Sequence, residues 1–112
     1  MKTKHTHDII VIGAGSGGLT SAIFMQRAGF KVLLVDKRHD TFGGDCLNYG
    51  CIPSKSLLHV ANLIHSGREA SAFQSQNSGR VDIKKVMKYV KGTQDHIRVH
   101  ENPEYLKKTG ID

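Results

Sequence analysis

Hydrophobic and polar positions predict two buried strands joined by a helix within the first 36 residues of this 112-residue chain. The run Ile9 to Ile12 is continuous, apolar and rich in β-branched residues, which is typical of a strand buried on both faces of a parallel sheet. A second run of this kind, KVLLVD, ends at Asp36. Between them, apolar and small positions recur at helical spacing up to Arg27, and Gly29 stands where a helix commonly ends. The pattern therefore predicts a βαβ unit with a right-handed crossover.

Helical spacing returns twice in the second half of the chain. Leu57, Val60, Ala61 and Ile64 predict a helix that ends at Gly67, and residues 66–80, rich in Ser, Gly and Gln, are predicted to be mostly loop. Asp82 is a suitable N-cap for a second helix. The apolar face of that helix comprises Ile83, Val86, Met87, Val90 and Ile97.

The last residues predict a short helix followed by the entrance to another strand. Asn102, Pro103 and Glu104 suit a cap, a first-turn proline and a helix-start acid, and Gly110 suits the end of that helix. The apolar Ile111 then indicates a further strand. Because a parallel sheet of two strands needs more strands to be covered on both faces, we expect an α/β, Rossmann-like fold that is incomplete, as in a fragment of a longer protein.

Composition and charge narrow the class of protein. With 38% apolar and 23% charged residues the chain is typical of a folded globular domain. The net charge of +6 includes Lys84, Lys85, Lys88 and Lys91, but no nucleic-acid motif or aromatic interleaving accompanies them, so a solvated helix face is favoured over a nucleic-acid site. No run is long enough for a membrane span or a signal-peptide core. We therefore expect a cytoplasmic protein without nucleic-acid partners or membrane insertion.

The turn GAGSGG has the spacing of a dinucleotide-binding loop. Gly13 permits the tight turn from strand to helix, Gly15 lets a pyrophosphate approach the backbone, and Gly18 lets helix and strand pack closely. Asp36 closes the second strand at the distance expected for an acid that binds the ribose hydroxyls. A glycine-rich turn without chemical use is the alternative, and the flanking strand, helix and acid favour the dinucleotide site.

Cys46 and Cys51 are the chain's only cysteines and admit three interpretations, a structural disulfide, a metal site or a redox pair. A disulfide closing so short a loop gains only roughly 2 kcal/mol from chain entropy. A metal site lacks further ligands, because no second cysteine pair exists and the HIRVH segment lacks the glutamate of a zinc hydrolase. We therefore predict no metal site, and the redox pair is favoured.

The local sequence supports reactive thiols. Residues five apart on a regular helix have Cα atoms about 8 to 9 Å apart, beyond the roughly 7 Å limit for a disulfide. If the cysteines pair, the backbone between them cannot be regular helix, and Gly50 and Pro53 are suited to distort it. Cys51 is expected at or next to the N-terminus of the following helix, where a thiolate is stabilised, and Lys55 adds positive charge one turn on.

Taken together, VIGAGSGG, the acid-ended strand and GGDCLNYGCIPSKSLLH closely resemble the N-terminus of the flavin-dependent pyridine nucleotide–disulfide oxidoreductases. The segment CLNYGCIPSK is most similar to the dihydrolipoamide dehydrogenase and mercuric reductase branch. The resemblance implies that residues 1–112 are the N-terminal FAD-binding segment of a homodimeric enzyme, with the NAD(P)H-binding and dimerisation domains absent from this chain. The implied cofactor-binding residues are Gly13, Gly15, Ser16, Gly18, Asp36, Lys37, Gly44, Asp45 and Lys55.

The resemblance also implies a reaction. Electrons would pass between NAD(P)H and a small-molecule disulfide, thiol or metal-ion substrate, by way of FAD and the cysteine pair. Cys51 would face the flavin and Cys46 the substrate, while Lys55 would lie near the reactive flavin nitrogen. The alternative is a dinucleotide-binding or interaction module without turnover.

Two residues depart from the pattern of the family. Asp45 stands where a threonine commonly precedes the first cysteine, and an ionised carboxylate there is unfavourable near flavin phosphates, so we expect it to point elsewhere or meet a cation. Asp36 replaces the commoner glutamate and is one methylene shorter.

Overall fold

Two strands and five helices make up the described residues, 5–73 and 79–112, in a computed structural model of the protein. In chain order these are β1 (Ile9–Ile12), α1 (Ser16–Arg27), β2 (Val32–Val35), α2 (Gly44–Asn48), α3 (Cys51–Ala70), α4 (Ile83–Arg98) and α5 (Pro103–Thr109), with a 3₁₀ turn at Ser71–Phe73.

The predicted βαβ unit is confirmed. β1 and β2 pair in parallel, with Ile9 opposite Val32, and α1 makes the connection between them. Ile111 forms a parallel bridge to Val32 on the other side of β2. There the Asp112 amide donates to the Val32 carbonyl at 3.1 Å and the Leu34 amide donates to the Asp112 carbonyl at 2.7 Å. The expected entrance to a third strand is therefore present.

The core lies on one face of this sheet. Buried residues of α1, β2 and α5 meet there with Ala14 and Ile111, and Ile9, Val11 and Leu34 pack against them. The opposite face is exposed, since Ile10 is 62% and Ile12 86% accessible. The prediction that both faces are buried was wrong, because successive residues of a strand point to opposite faces and no element within the described residues covers the second one.

Helices α3 and α4 pack against each other as an antiparallel pair. The rings of His59 and Tyr89 stack between them with centroids 6.0 Å apart. Gly67 lies inside α3, so the prediction that the helix ends there was wrong, and residues 66–73 are helical rather than loop. A glycine costs only about 1 kcal/mol within a helix, which the packing of α3 on α4 offsets. Residues 74–78 of the predicted loop lie outside the described residues, while residues 79 and 80 are irregular.

The predicted caps of the last two helices are confirmed. The Asp82 side chain accepts hydrogen bonds from the amides of Lys84 and Lys85 at the start of α4. The Asn102 side chain accepts from the Tyr105 amide at the start of α5, and Gly110, with φ of 94°, ends that helix in the left-handed conformation. These local signals fix both ends of α5, and α5 in turn places Leu106 in the core.

Candidate functional site: the glycine turn and the cysteine pair

The glycine turn joins β1 to α1 with the close approach that its spacing predicts. A Cβ on Gly18 would lie 1.8 Å from the Gly13 carbonyl oxygen, so only glycine lets α1 pack this near the end of β1. Gly13 has φ of 101°, in the left-handed region. Helix α1 starts with neither a side-chain cap at Gly15 nor an acid in its first turn. Its first amides therefore have no acceptor from a capping side chain, an arrangement that suits the binding of phosphate groups.

Asp36 is tied to this turn by its carboxylate. One oxygen accepts from the Ala14 amide at 2.5 Å and the other accepts from the Arg38 amide at 3.0 Å. The hydrogen bond from Ala14, followed by that from Arg38, holds the pKa of Asp36 below its usual value. The carboxylate is thus ionised at neutral pH, and each oxygen keeps a lone pair free for a hydroxyl group.

A cleft of about 320 Å³ opens beside Asp36. It is lined by Asp36, Lys37, Arg38, Thr41, Gly44, Asp45 and Tyr49. The structure thus brings together four of the residues expected at a dinucleotide, and a Cβ on Gly44 would lie only 2.7 Å from Gly15 Cα. This contact sets the segment that leads to the cysteines directly against the glycine turn.

Asp45 lies exposed in the first turn of α2. An acid there interacts favourably with the amides at the start of a helix. Its carboxylate also shares the cleft with Lys37 and Arg38. No ion pair joins Asp45 to either cation among the described residues, so the expectation that it meets a cation stays a prediction.

Cys46 and Cys51 lie on two helices separated by a break in the chain. Cys46 is in the middle of α2, and Cys51 is the first residue of α3. Gly50, with φ of −112° and ψ of −106°, breaks the helical path, and Pro53 lies in the first turn of α3. The prediction that regular helix does not run between the cysteines is confirmed, as is the place of Cys51 at a helix N-terminus. Both are free thiols here, with Cys51 the more exposed.

The thiol of Cys46 is shaped electrostatically by its neighbours. The neighbouring Cys51 thiol raises the pKa of Cys46, desolvation adds to this rise, and the charge of Lys55 opposes it. Lys55 is exposed on the first turns of α3, and its charge acts on the Cys46 thiol, whereas the predicted effect of Lys55 on Cys51 stays a prediction. The two thiols therefore share one electrostatic environment.

Three polar residues near Cys46 escaped the sequence analysis. Asn48 donates from its amide to backbone carbonyls on the chain leading into α2, and Gln94 and Arg98 of α4 reach this segment from 46 to 50 residues away. Only the position of Asn48 between the cysteines could have drawn attention to it. Gln94 and Arg98 carry no local signal beyond sharing one face of a helix.

Comparison with known proteins shows the family of this chain. The profile of one family, pyridine nucleotide-disulphide oxidoreductase, matches residues 7–109. The chain belongs to this family. The dihydrolipoyl dehydrogenase of Manduca sexta is 43% identical over 89 residues, which are 78% of this chain and 18% of that protein. The leghemoglobin reductase of Glycine max is 42% identical over 77 residues, 69% of this chain and 14% of that protein.

Solved structures agree with the family's fold. The HOCl-induced flavoprotein disulfide reductase RclA of Escherichia coli matches with a TM-score of 0.63 and 26% identity, over 93% of this chain and 20% of that one. A copper(II) complex of a mutant of the same reductase matches with a TM-score of 0.70 and 23% identity, over 97% and 21%. The expected Rossmann-like FAD-binding fold is confirmed. This chain spans about a fifth or less of the length of the family members it matches.

Within the described ranges 5–73 and 79–112, no helix combines the length and apolar character needed to cross a membrane.

Proposed function

We propose that this chain is the FAD-binding and redox-active part of an oxidoreductase that transfers electrons between NAD(P)H and a disulfide or another thiol-reducible substrate through Cys46 and Cys51. One observation supports this proposal most directly. The contact between Gly15 and Gly44 sets the helix of Cys46 against the glycine turn, and the Cys51 thiol is near enough to Cys46 there to raise its pKa. A dinucleotide site and a thiol pair are thus parts of a single site.

The residues present suit FAD, which family members use together with NAD(P)H. A Cβ on Gly13 would meet nothing within 4 Å, and one on Gly15 would meet only Gly44 Cα at 3.9 Å, so the space in front of the turn is open. The first amides of α1 at Ser16 and Gly18 would hold the pyrophosphate, and ionised Asp36 would accept from the ribose hydroxyls. Lys37 would add positive charge beside the phosphates.

The flavin, when bound, supplies the transfer of an electron pair between the nicotinamide and the cysteine disulfide. This chain's own residues then hold the reacting sulfurs and their protons. We assign Cys51 to the flavin side and Cys46 to the substrate side. The Cys51 thiol favours retention of a proton on Cys46 in the reduced pair, and Lys55 favours its release as a thiolate. Deprotonated Cys46 is the form that attacks a disulfide substrate.

The complete enzyme is proposed to be a cytoplasmic homodimer, with the nicotinamide site on a further domain. The relatives named dihydrolipoyl dehydrogenase favour a dithiol or disulfide as substrate. A metal ion, as in mercuric reductases, is the other substrate class that a pair of thiols can serve.

Flavin absorbance tests the function. The complete enzyme is purified with FAD and titrated anaerobically with NADH and with NADPH. We expect a long-wavelength charge-transfer band that is lost in Cys51→Ser and kept in Cys46→Ser, because the proposal assigns only Cys51 to the flavin side.

The outcomes separate the candidate functions. FAD binding without a band that depends on Cys51 would support the dinucleotide-binding module without turnover. A protein that binds no FAD, and whose spectrum does not depend on Cys51, would sink the proposed function.

A further inference from the structure

A polar cluster connects the helix of Cys46 to α4, and we call it the Asn48 cluster. It consists of Asn48, Gln94 and Arg98. The Asn48 amide nitrogen donates to the carbonyls of Thr41 and Phe42, both at 3.2 Å, and of Gly44 at 2.8 Å. Its side-chain oxygen accepts from Arg98 at 2.8 Å. The single side chain thus closes the loop before α2 and binds that loop to α4.

Gln94 supplies the partners that the end of α2 lacks. Its side-chain nitrogen donates to the carbonyls of Leu47 and Asn48 at 2.9 and 3.0 Å. The last carbonyls of a helix have no N–H donor within it. Side-chain donors such as the Gln94 amide therefore cap its C-terminus. Since α2 has only five residues, far below the length at which a helix is stable alone, tertiary contacts decide where it lies.

The position of α2 decides the position of Cys46. Leu47, 1% exposed, anchors one side of α2, and the Asn48 cluster fixes its end two residues after Cys46. Cys51 is fixed separately as the first residue of α3, which packs along α4. Helix α4 is therefore the common support of both cysteines.

We propose that the Asn48 cluster positions Cys46 for disulfide formation with Cys51, so that Gln94 and Arg98 tune the reduction potential of the pair. The inference rests on the proposed redox function. A disulfide forms only when the two Cα atoms are within about 4.4 to 6.8 Å, and the bond is stabilised when the folded chain already holds the thiols there. Releasing α2 from α4 makes that geometry rarer, which favours the dithiol.

The test is an equilibrium with glutathione. Two glutathione thiols reduce the Cys46–Cys51 disulfide to two thiols, and the electron pair leaves with oxidised glutathione as one disulfide. The purified chain is equilibrated at several ratios of reduced to oxidised glutathione, quenched with acid and alkylated, and the dithiol fraction is counted by mass spectrometry. Alkylation also separates the mixed disulfide with glutathione from the dithiol form.

Two variants remove the contacts to α4. Gln94→Met removes the cap of α2 without changing charge, and Arg98→Met removes the partner of the Asn48 oxygen. We expect each to favour the dithiol about tenfold, equivalent to about 30 mV for a two-electron couple. Arg98→Lys keeps a cationic donor and should recover part of this change.

Lys91→Met is the matched control. Lys91 pairs with Asp95, as Arg98 does, and the substitution removes the same charge without touching Asn48. It should leave the equilibrium with glutathione unchanged. Far-UV circular dichroism shows whether each variant is still folded when its equilibrium with glutathione shifts. If Arg98→Met unfolds the chain, the neutral Gln94→Met decides.

The outcomes separate a failure of the redox function from a failure of the positioning role. Wild-type chain that forms no Cys46–Cys51 disulfide at any glutathione ratio would overturn the redox function and this positioning role together. A wild-type disulfide whose equilibrium is the same in Gln94→Met and Arg98→Met, or shifts equally in Lys91→Met, would overturn the positioning role alone.

Discussion

The pKa of the Cys46 thiol depends on its immediate neighbours. Its contact with the Cys51 thiol comes first among the causes that raise the pKa of Cys46, ahead of desolvation. A thiol that donates to a neighbouring sulfur holds its proton more tightly, because ionisation removes the donor. Reactivity of Cys46 toward electrophiles is therefore under the control of Cys51, a residue on a different helix.

Cys51→Ala tests this control. Removing the Cys51 thiol removes the first cause of the raised pKa and leaves the positive charge of Lys55, so the pKa of Cys46 should fall and its thiolate fraction at neutral pH should rise. The pH profile of iodoacetamide alkylation, measured on Cys46→Ala and Cys51→Ala in parallel, reports each thiol by itself. An alkylation midpoint for Cys46 that is unchanged from that of the reduced parent chain would contradict the assignment.

Asp36 is a second residue whose ionisation affects the fold. Because its two amide bonds lower the pKa in the folded state, the stabilisation is complete above the unfolded pKa near 3.8 and is lost as the pH falls through the lower folded value. Asp36→Ala leaves the Ala14 amide without its acceptor and should reduce the free energy of unfolding by about 1 to 3 kcal/mol at pH 7.

Urea denaturation from pH 7 to pH 3 measures both effects of Asp36→Ala. The difference from the parent chain should shrink toward acid pH. Asp40→Ala is a suitable control, since its carboxylate pairs with exposed Arg38 and makes no contact with the glycine turn. A difference that is constant with pH would argue against a role for the ionised carboxylate.

At the scale of elements, local signals predicted most boundaries. The caps at Asp82 and Asn102 and the left-handed Gly110 each depend on a few neighbouring residues. They can therefore be recognised in the sequence. The end of α3 was missed because packing on α4 offsets the small cost of Gly67. The Asn48 cluster was missed because its partners meet only once α4 has packed on α2.

Gly18 offers a sharp test of how β1, the glycine turn and α1 fit together. Gly18→Ala would bring a methyl group within 1.8 Å of the Gly13 oxygen, so α1 must move away from β1 and we expect a loss of several kcal/mol or failure to fold. Gly17→Ala is the matched control. Its methyl group meets nothing within 4 Å, and alanine should stabilise the helix by up to about 1 kcal/mol.

Urea midpoints of the two alanine variants measure the difference. Opposite signs are expected for neighbouring substitutions of the same kind, which an effect of helix propensity alone does not produce. Equal midpoints for Gly17→Ala and Gly18→Ala would show that the close approach of Gly18 to Gly13 does not govern the packing of α1.

The whole molecule is extended rather than spherical. Its Cα radius of gyration is 20.3 Å, whereas compact domains of about 100 residues have values near 13 Å. The long pair α3 and α4 accounts for much of the 79 Å length, and the small sheet keeps one apolar face open. Sequence periodicity predicted that Ile10 and Ile12 are apolar strand residues, but which surface covers them is a property of the assembled molecule and not of the strand.

The open sheet face makes self-association the expected behaviour of this chain in solution. Ile10, Ile12 and Val35 lie side by side on that face, and contiguous apolar surface of this kind associates in water. We expect sedimentation velocity to show oligomers that increase with protein concentration, and the fluorescence of a dye for apolar surface to increase on binding. The double variant Ile10→Thr, Ile12→Thr keeps β-branched residues in β1 and should reduce both signals. Leu63→Gln removes an equally exposed side chain, 60% accessible, from α3 and should leave both largely unchanged. Equal association of the parent chain and the double variant would show that the sheet face is not the contact surface. A larger effect of Leu63→Gln would show that the contact lies on the helical pair α3 and α4.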